Sequence, residues 1–313
     1  MNHDKETEST PKPVLVIAGP TASGKTATAL LLCQALDGEI VSADSMQIYR
    51  GMDIGTAKAT KQEQNLIRHH LLDIREPGEP YSVAQYKKDA TIAIYDIFSR
   101  GKQPVLCGGT GQYLSAVIEG ISFFPHPPNH SLRARLMERS ERLGIEQMLS
   151  ELAVVDPESA AKLAPGDRKR IIRALEIYYQ TGMTIGQQNQ LSRQKGPDFD
   201  FRIFGLSHDR AILYERINQR VGQMIDAGLI DEVRQLLARG LDPASTCLQA
   251  IGYKEVLPYL AGDKSLESVA DDIRQASRRY AKRQMTWLKK ITNIYWLKNH
   301  SPEENTKNIL KNI

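Results

Sequence analysis

Gly19, Pro20, Thr21, Ala22, Ser23, Gly24, Lys25 and Thr26 spell GPTASGKT, which matches G-x-x-x-x-G-K-[ST] at every defined position. That pattern is a phosphate cradle: glycines let successive backbone N–H groups turn inward around phosphate oxygens, and the following helix adds the positive end of its dipole. Lys25 supplies a mobile cation, and the Thr26 hydroxyl is placed to ligate Mg2+. An ordinary glycine-rich turn is the competing explanation. It is disfavoured because a strand-like run precedes the pattern and a helix-like run follows it. The cradle announces a di- or triphosphate, ATP included, without saying which one; kinases, ATPases and other transferases all fit.

Asp44 closes the apolar run EIVSAD, so its strand end should lie beside the cradle. Two chemical roles suit it, a metal-linked acid of the nucleotidase kind or a general base facing an acceptor. A turn or helix cap is the plainer alternative, because Asp44-Ser45 is good capping chemistry. Thr110, in GGTGQY, follows another apolar run and should stand at the same edge, where its hydroxyl orients an acceptor's amine or hydroxyl, or caps a helix. Lys25, Asp44 and Thr110 converging on one edge favour a site over independent caps. Arg216 and Arg220 lie one helical turn apart. Either one completes a phosphate site, with ion pairs to Glu215 and Asp226 as the alternative. His69 and His70 have no metal-like spacing to a cysteine or acid cluster and read as structural or cleft-lining.

The elements that must position these residues alternate. VLVIAG (14–19) reads as a buried parallel strand, 26–36 as a helix, EIVSAD (39–44) as a second strand, 82–100 as a helix and PVLCGG (104–109) as a third strand. Alternation predicts an α/β fold, a P-loop NTPase-like parallel sheet with right-handed crossovers that binds ligands at the carboxyl ends of its strands. After Gly120 the pattern changes. FFPHPPN (123–129) is a proline-rich connection, and 131–152 and 168–181 read as amphipathic helices with no strand between them. These predict an inserted all-helical domain over 121–200, within a core made of 14–120 and 201–313 and behind a polar tail at 1–13. DFDFRIFGLS (198–207) reads as a returning strand, followed by helices over 210–227, 230–239 and 266–288.

Length and composition exclude whole classes. In 313 residues, 41% hydrophobic and 25% charged side chains argue against disordered, collagen-like and membrane proteins. No apolar run reaches the ~18 to 20 residues of a spanning helix, and the N-terminal run lacks a signal peptide's apolar core. Cys33, Cys107 and Cys247 are far apart and form no C-x-x-C pair, so they read as reduced thiols of a cytoplasmic protein. Without a long heptad pattern, a monomer is the default expectation.

The net charge of +4 does not by itself announce a nucleic acid, but its distribution does more. Residues 273–290 hold seven basic side chains and no acidic one. At about 100° per residue, Arg274, Arg278, Lys282 and Lys289 share one stripe, with Arg279, Arg283 and Lys290 beside it. Ile273, Ala276, Tyr280, Trp287 and Ile291 fall opposite, giving a core side and a cationic side. A merely solvated face would mix acids and bases into i,i+4 pairs, so nucleic-acid contact is favoured. DRKRIIR (167–173) is a second cluster able to grip the same polyanion.

Together with VSADSMQIYRGMDIGTAK (41–58), HHLLDI (69–74), YSVAQY (81–86), GGTGQYL, RIIRALE (170–176), AIGYKE (250–255) and KRQMTWLK (282–289), these motifs resemble the bacterial-type tRNA dimethylallyltransferases, the tRNA isopentenyltransferases or IPP transferase family, over nearly the whole of 14–297. The phosphate loop is widely shared. The D-S-M-Q-I-Y-x-G-M-D-I-G-T-A-K and K-R-Q-x-T-W runs are far more specific. The resemblance implies a prenyltransferase that moves the dimethylallyl group of dimethylallyl diphosphate onto the exocyclic amine of the adenosine 3′ of the anticodon, releasing pyrophosphate. It implies that the loop holds this diphosphate rather than ATP, with Mg2+ at Thr26. Asp44 would take the amine proton, Thr110 would hold the amine, and Lys25, the loop amides and Arg220 would stabilise the departing pyrophosphate. The target base would be flipped out of its stack.

Contacts to the tRNA anticodon stem-loop transfer by the same resemblance onto Asp44, Ser45, Met46, Gln47 and Thr110, and onto Arg133 at the hinge of the insertion. They continue through Lys169, Arg170, Ile171, Ile172 and Arg173; through Gln249, Ala250, Ile251, Gly252, Tyr253 and Lys254; and through Lys282, Arg283, Gln284, Met285, Thr286, Trp287, Leu288 and Lys289. Gln249 stands where some members carry a basic residue. The Cys2His2 finger of larger relatives is absent, which implies the short bacterial form. Rival readings are a P-loop kinase, which needs no cationic helix, and an RNA-binding ATPase, which would hydrolyse nucleotide. A relative that prenylates free adenine nucleotides would not need the DRKRIIR insertion.

Overall fold

The computed structural model of the protein describes residues 13–123 and 129–313. The tail expected at 1–13, apart from Pro13, and most of the proline-rich connection lie outside them. The chain forms two compact units, one running to Ile118 and resuming over Asp198–Ile313, the other over Glu119–Pro197.

The larger unit begins with β1 (Val14–Ala18), α1 (Lys25–Leu36), β2 (Gly38–Ala43), α2 (Lys61–Leu66), β3 (His69–His70), α3 (Val83–Ser99), β4 (Gln103–Gly108) and α4 (Gly111–Ile118). The smaller unit contributes α5 (His130–Leu143), α6 (Ile145–Val155), α7 (Pro157–Ala160), α8 (Arg168–Thr181) and α9 (Ile185–Ser192). The larger unit then resumes with β5 (Phe201–Ser207), α10 (Arg210–Asp226), α11 (Leu229–Ala238), α12 (Tyr253–Leu260), α13 (Leu266–Leu288), β6 (Ile294–Lys298) and α14 (Pro302–Leu310).

All strands pair in parallel, in the order β3-β2-β4-β1-β5-β6. The expected α/β fold is the one observed. Both sheet faces are covered, which is why VLVIA reads as an unbroken apolar run. Leu15 and Ile17 pack with Leu32 and Cys33 of α1, whereas Val14 and Val16 pack with Ile94 and Ile97 of α3. Each such buried aliphatic side chain contributes roughly 1.5 to 3 kcal/mol. A second core gathers Ile48, Tyr49 and Met52 under Val233, Tyr253, Val256 and Ile273 of α11, α12 and α13.

Several elements depart from expectation. The two-residue β3 precedes the strand anticipated as the third, which is therefore β4. Past α13 the chain forms β6 and α14, for which no element was expected. Gly205 of β5 lies under the Trp296 ring, where a Cβ would sit 2.8 Å from it, and Ile309 of α14 is fully buried with the α1 core. In the smaller unit the helix expected over 131–152 is two helices, because Gly144 ends α5 at φ +84°, a conformation an L side chain resists. Its core is Leu136, Met148, Leu152, Ile171, Ile172 and Leu175. No helix among the described residues is long and apolar enough to cross a membrane.

Candidate active site

The carboxyl edge of the sheet receives the loops after β1, β2 and β4. Between β1 and α1, Ala22 (φ +63°) and Gly24 (φ +86°) take left-handed backbone, which glycine adopts at no steric cost. The Lys25 ammonium donates to Pro20 O at 2.6 Å. Burial pulls it down to about 8; Arg220 pushes the same way, while Cys107 and Asp44 oppose. Burial holds the neighbouring Cys107 thiol up at about 11, so it stays protonated at neutral pH.

Asp44 follows the last residue of β2, and its Oδ1 accepts from Met46 N at 2.9 Å and from Gln47 N at 3.4 Å. The capping alternative is thus realised. Its Oδ2 accepts no hydrogen bond from the described residues, so one oxygen fixes the carboxylate while the other is available for chemistry. Thr110 Oγ1 accepts from Ser45 N at 3.1 Å, and its backbone N–H donates to Ala43 O at 3.1 Å. Its hydroxyl therefore ties the β4 loop to the turn that carries Asp44.

Residues 44–58 form a wall stitched by polar side chains. Ser42 donates to Gln47 Oε1 at 3.1 Å, and Gln47 Nε2 donates to the carbonyls of Thr56 and Ala57, each at 3.2 Å. Lys58, buried, donates to Tyr49 O at 2.7 Å and to Asp53 and Asp73, each at 2.6 Å. Glu232 of α11 accepts from the amides of Asp53, Ile54 and Gly55 at 2.9, 2.8 and 3.1 Å.

Arg220 is the one of the two arginines that lines the cavity, whereas the Arg216 guanidinium lies beside Gly24 of the cradle. Arg220 lies deep in the wall and donates to Thr56 O at 3.5 Å; burial lowers its pKa against the pull of Asp44. Arg216 instead donates to His208 Nε2 at 3.0 Å. The ion pairs offered as alternatives for these arginines do not form among the described residues, since Glu215 accepts from Gln219.

These walls enclose a cavity of about 350 Å³. It is lined by Thr21, Lys25 and Thr26 from the cradle; by Asp44, Ser45, Met46 and Gln47; by Gln249, Ala250, Ile251 and Lys254; and by Arg220, Arg283 and Gln284. Residues distant in sequence are thereby brought into one site. Thr110 is outside the lining and accepts from Ser45, which lines it, while Gly108 and Gly109 before it line the cavity. Gly252 and the buried Tyr253 sit behind the wall.

Tyr280 departs from expectation. Its helical angle put it on the core face, but it lines the cavity, with burial raising its phenol to about 12. His69 lines it, one of the two places expected of it, and Ser277, Met224 and Cys107, which the sequence did not mark as site residues, line it too. Ser277 and Tyr280 share a face of α13 with Gln284, a spacing that becomes informative only once that face is known to cross the strand ends.

On α13 the cations are not equivalent. Arg274 pairs with Asp271 at 2.7 Å, and Arg278 donates to Asn218 at 3.3 Å while lying over the Tyr214 ring. Arg279, Lys282, Lys289 and Lys290 are exposed and make no ion pair among the described residues. Met285 is half-buried and Thr286 exposed; Trp287 packs over Gly111, and Leu288 is 1% exposed in the core.

The smaller unit holds its own basic cluster. Arg133 lies within α5 rather than at a hinge, and with Arg173 it pairs with the buried Glu176 at 2.7 and 2.9 Å. Burial pushes that carboxyl up, but the two guanidiniums outweigh it and hold it below its usual range. Arg170 pairs with Asp167 at 3.2 Å, Lys169 is exposed, and Ile171 and Ile172 are core residues.

Residues 47–291 match the family model described as IPP transferase. The chain is 42% identical over 300 residues to a protein of Acetivibrio thermocellus named tRNA dimethylallyltransferase, covering 96% of both chains. It is 46% identical over 291 residues to one of the same name from Symbiobacterium thermophilum, covering 93% of this chain and 91% of that one. Among solved structures, the tRNA isopentenylpyrophosphate transferase of Bacillus halodurans is similar at TM-score 0.71 and 40% identity, over 96% of this chain and 95% of that chain. A eukaryotic dimethylallyltransferase described as acting on tRNA is similar at TM-score 0.79 and 30% identity, over 96% of this chain and 77% of that chain. With the phosphate cradle, Asp44, Arg220, Gln249, Ala250, Ile251 and Lys254 gathered on one cavity, the chain belongs to the IPP transferase family of enzymes.

Proposed function

We propose that this enzyme transfers the dimethylallyl group from dimethylallyl diphosphate to the exocyclic amine of the adenosine 3′ of the anticodon in tRNA. The observation that carries the reading is the single cavity that has Lys25, Thr26 and Arg220 beside Asp44 and also takes in Gln249, Ala250, Ile251, Lys254 and Arg283. Cations suit a diphosphate, and the unengaged oxygen of Asp44 suits an amine proton.

In this mechanism the amine nitrogen attacks the first carbon of the allylic chain, and that carbon's bond to the diphosphate oxygen breaks with its electron pair. Asp44 accepts the proton that the amine loses. Lys25 and Arg220 meet charge as it develops on pyrophosphate, inside a cavity where such interactions are strong. Thr110 holds the Ser45 turn, and with it the carboxylate.

Mg2+ belongs to the proposal. No group of three or more His, Cys, Asp or Glu side chains gathers among the described residues, so the protein donor on offer is the Thr26 hydroxyl, with Asp44 nearby. That set fits an ion that takes most of its oxygens from diphosphate and water, and there it would offset pyrophosphate charge. Exposed cations of α13 and of the 168–173 run, with Arg133, are the proposed grips on the anticodon stem-loop. The reading further takes the enzyme to be a cytoplasmic monomer.

The test is to incubate the protein, Mg2+ and unmodified tRNA with either dimethylallyl diphosphate or ATP and to weigh the digested tRNA by mass spectrometry. A prenyl mass gain on the one adenosine, independent of ATP, is expected. Phosphate released from ATP without a mass gain would assign the cradle to nucleotide and Asp44 to metal.

A further inference from the structure

Gln284 is 6% exposed, and it joins two loops that converge on the strand ends. Its Oε1 accepts from Thr21 N, within the phosphate cradle, at 2.8 Å. Its Nε2 donates to the carbonyl of Gly109, the residue before Thr110, at 2.9 Å. An N–H on one side and a C=O on the other allow only this orientation of the amide. The loops are in close approach: a Cβ on Gly109 would collide with the Gln284 amide and lie 3.0 Å from Gly19 O. Glycine is needed there so that the amide can enter.

We infer that Gln284 is a positioning residue which sets the separation between the diphosphate cradle and the loop of Thr110, and so the distance the transferred group must cross. This rests on the prenyl-transfer reading above. The bridge requires a neutral group that donates and accepts at once. A carboxylate of the same shape accepts from Thr21 N but repels Gly109 O, and a thioether does neither. Gln284 also lies on α13 beside the exposed Lys282 and Arg283, so the helix that carries the cations also sets the cradle. A one-atom change there should disturb the cradle and the Thr110 loop together, without removing any group that touches the reacting atoms.

The experiment compares wild type, Gln284→Met and Gln284→Glu at pH 6 and pH 8, reading kcat and KM for dimethylallyl diphosphate, KM for tRNA and melting temperature. For Gln284→Met, kcat should fall and the donor KM rise by at least about tenfold each at both pH values, the size expected for losing buried hydrogen bonds. The tRNA KM should stay near the wild-type value, because the exposed cations are intact. Gln284→Glu should behave like Gln284→Met at pH 8. It should recover towards wild type at pH 6, because a buried carboxyl titrates high and in its neutral form restores both bonds.

Donor parameters within twofold of wild type in both variants, or a ratio of Gln284→Glu to wild type that is flat between the two pH values, would overturn the inference. So would a drop in melting temperature with unchanged turnover per folded molecule. Calorimetric binding of inorganic pyrophosphate to the same three proteins reads the cradle without turnover. If wild type transfers no prenyl group, the function reading fails. The inference is still judged by whether pyrophosphate affinity follows the same order and the same pH recovery.

Discussion

The Tyr253 hydroxyl donates to Glu232 at 2.6 Å, and that carboxylate also accepts from the amides of Asp53, Ile54 and Gly55. Tyr253 is fully buried, and its ring lies against Gly55, where a Cβ would not fit. One acid of α11 therefore anchors the wall that begins at Asp44 and the helix that follows Gln249–Gly252. Replacing Glu232 by Ala leaves three amides and a buried phenol without their acceptor. Unfolding free energy should fall by on the order of 2 to 4 kcal/mol, with Glu232→Gln intermediate, as measured by denaturant titration.

Asp44→Asn keeps an oxygen for Met46 N and Gln47 N but loses the base. Turnover should fall by about 10² to 10⁴, while melting temperature and tRNA affinity stay at wild-type values. Single-turnover prenyl transfer with filter binding checks this, and wild-type turnover would remove Asp44 as base.

Lys25 titrates near 8 because burial disfavours its charge. The cation proposed to hold the diphosphate is present below that pH and is lost above it, so the donor KM should be flat below pH 8 and rise as pH increases beyond it. Lys25→Arg should move that rise to higher pH, since a guanidinium keeps its proton. A donor KM unaffected between pH 7 and 9.5 would contradict this assignment.

Exposed cations that release counterions make RNA binding fall steeply with salt. Lys282→Ala and Lys289→Ala should each lower the slope of log affinity against log salt by about 1. Arg274→Ala, whose guanidinium is already paired with Asp271 at 2.7 Å, should change it less. Fluorescence anisotropy with an anticodon stem-loop from 50 to 300 mM salt reads these slopes, and a flat response would remove α13 as the grip.

Much of this was legible in advance where a local pattern has one physical solution. The cradle, the strands that end beside Asp44 and Thr110, α8 and α13 follow from period and turn chemistry, and the family follows from long motifs. Short elements were less legible: β3 is two residues long and is held by pairing with β2, which no local pattern records. The break of α5 at Gly144 reflects a local backbone angle, and β6 and α14 depend on docking against Gly205 and α1.

By itself, the sequence determined that the protein carries a phosphate cradle followed by an acid and a threonine at strand ends, and a helix with one cationic side. Only the tertiary structure decided that Arg220 rather than Arg216 lines the cavity, that Tyr280 faces it, and that Gln284 is a buried bridge while its neighbour Arg283 is exposed. Helical angle assigns residues to faces, but a face becomes core, cavity or solvent only through what packs against it. For α13 those partners are loops roughly 175 and 263 residues away along the chain, a separation no periodicity can carry.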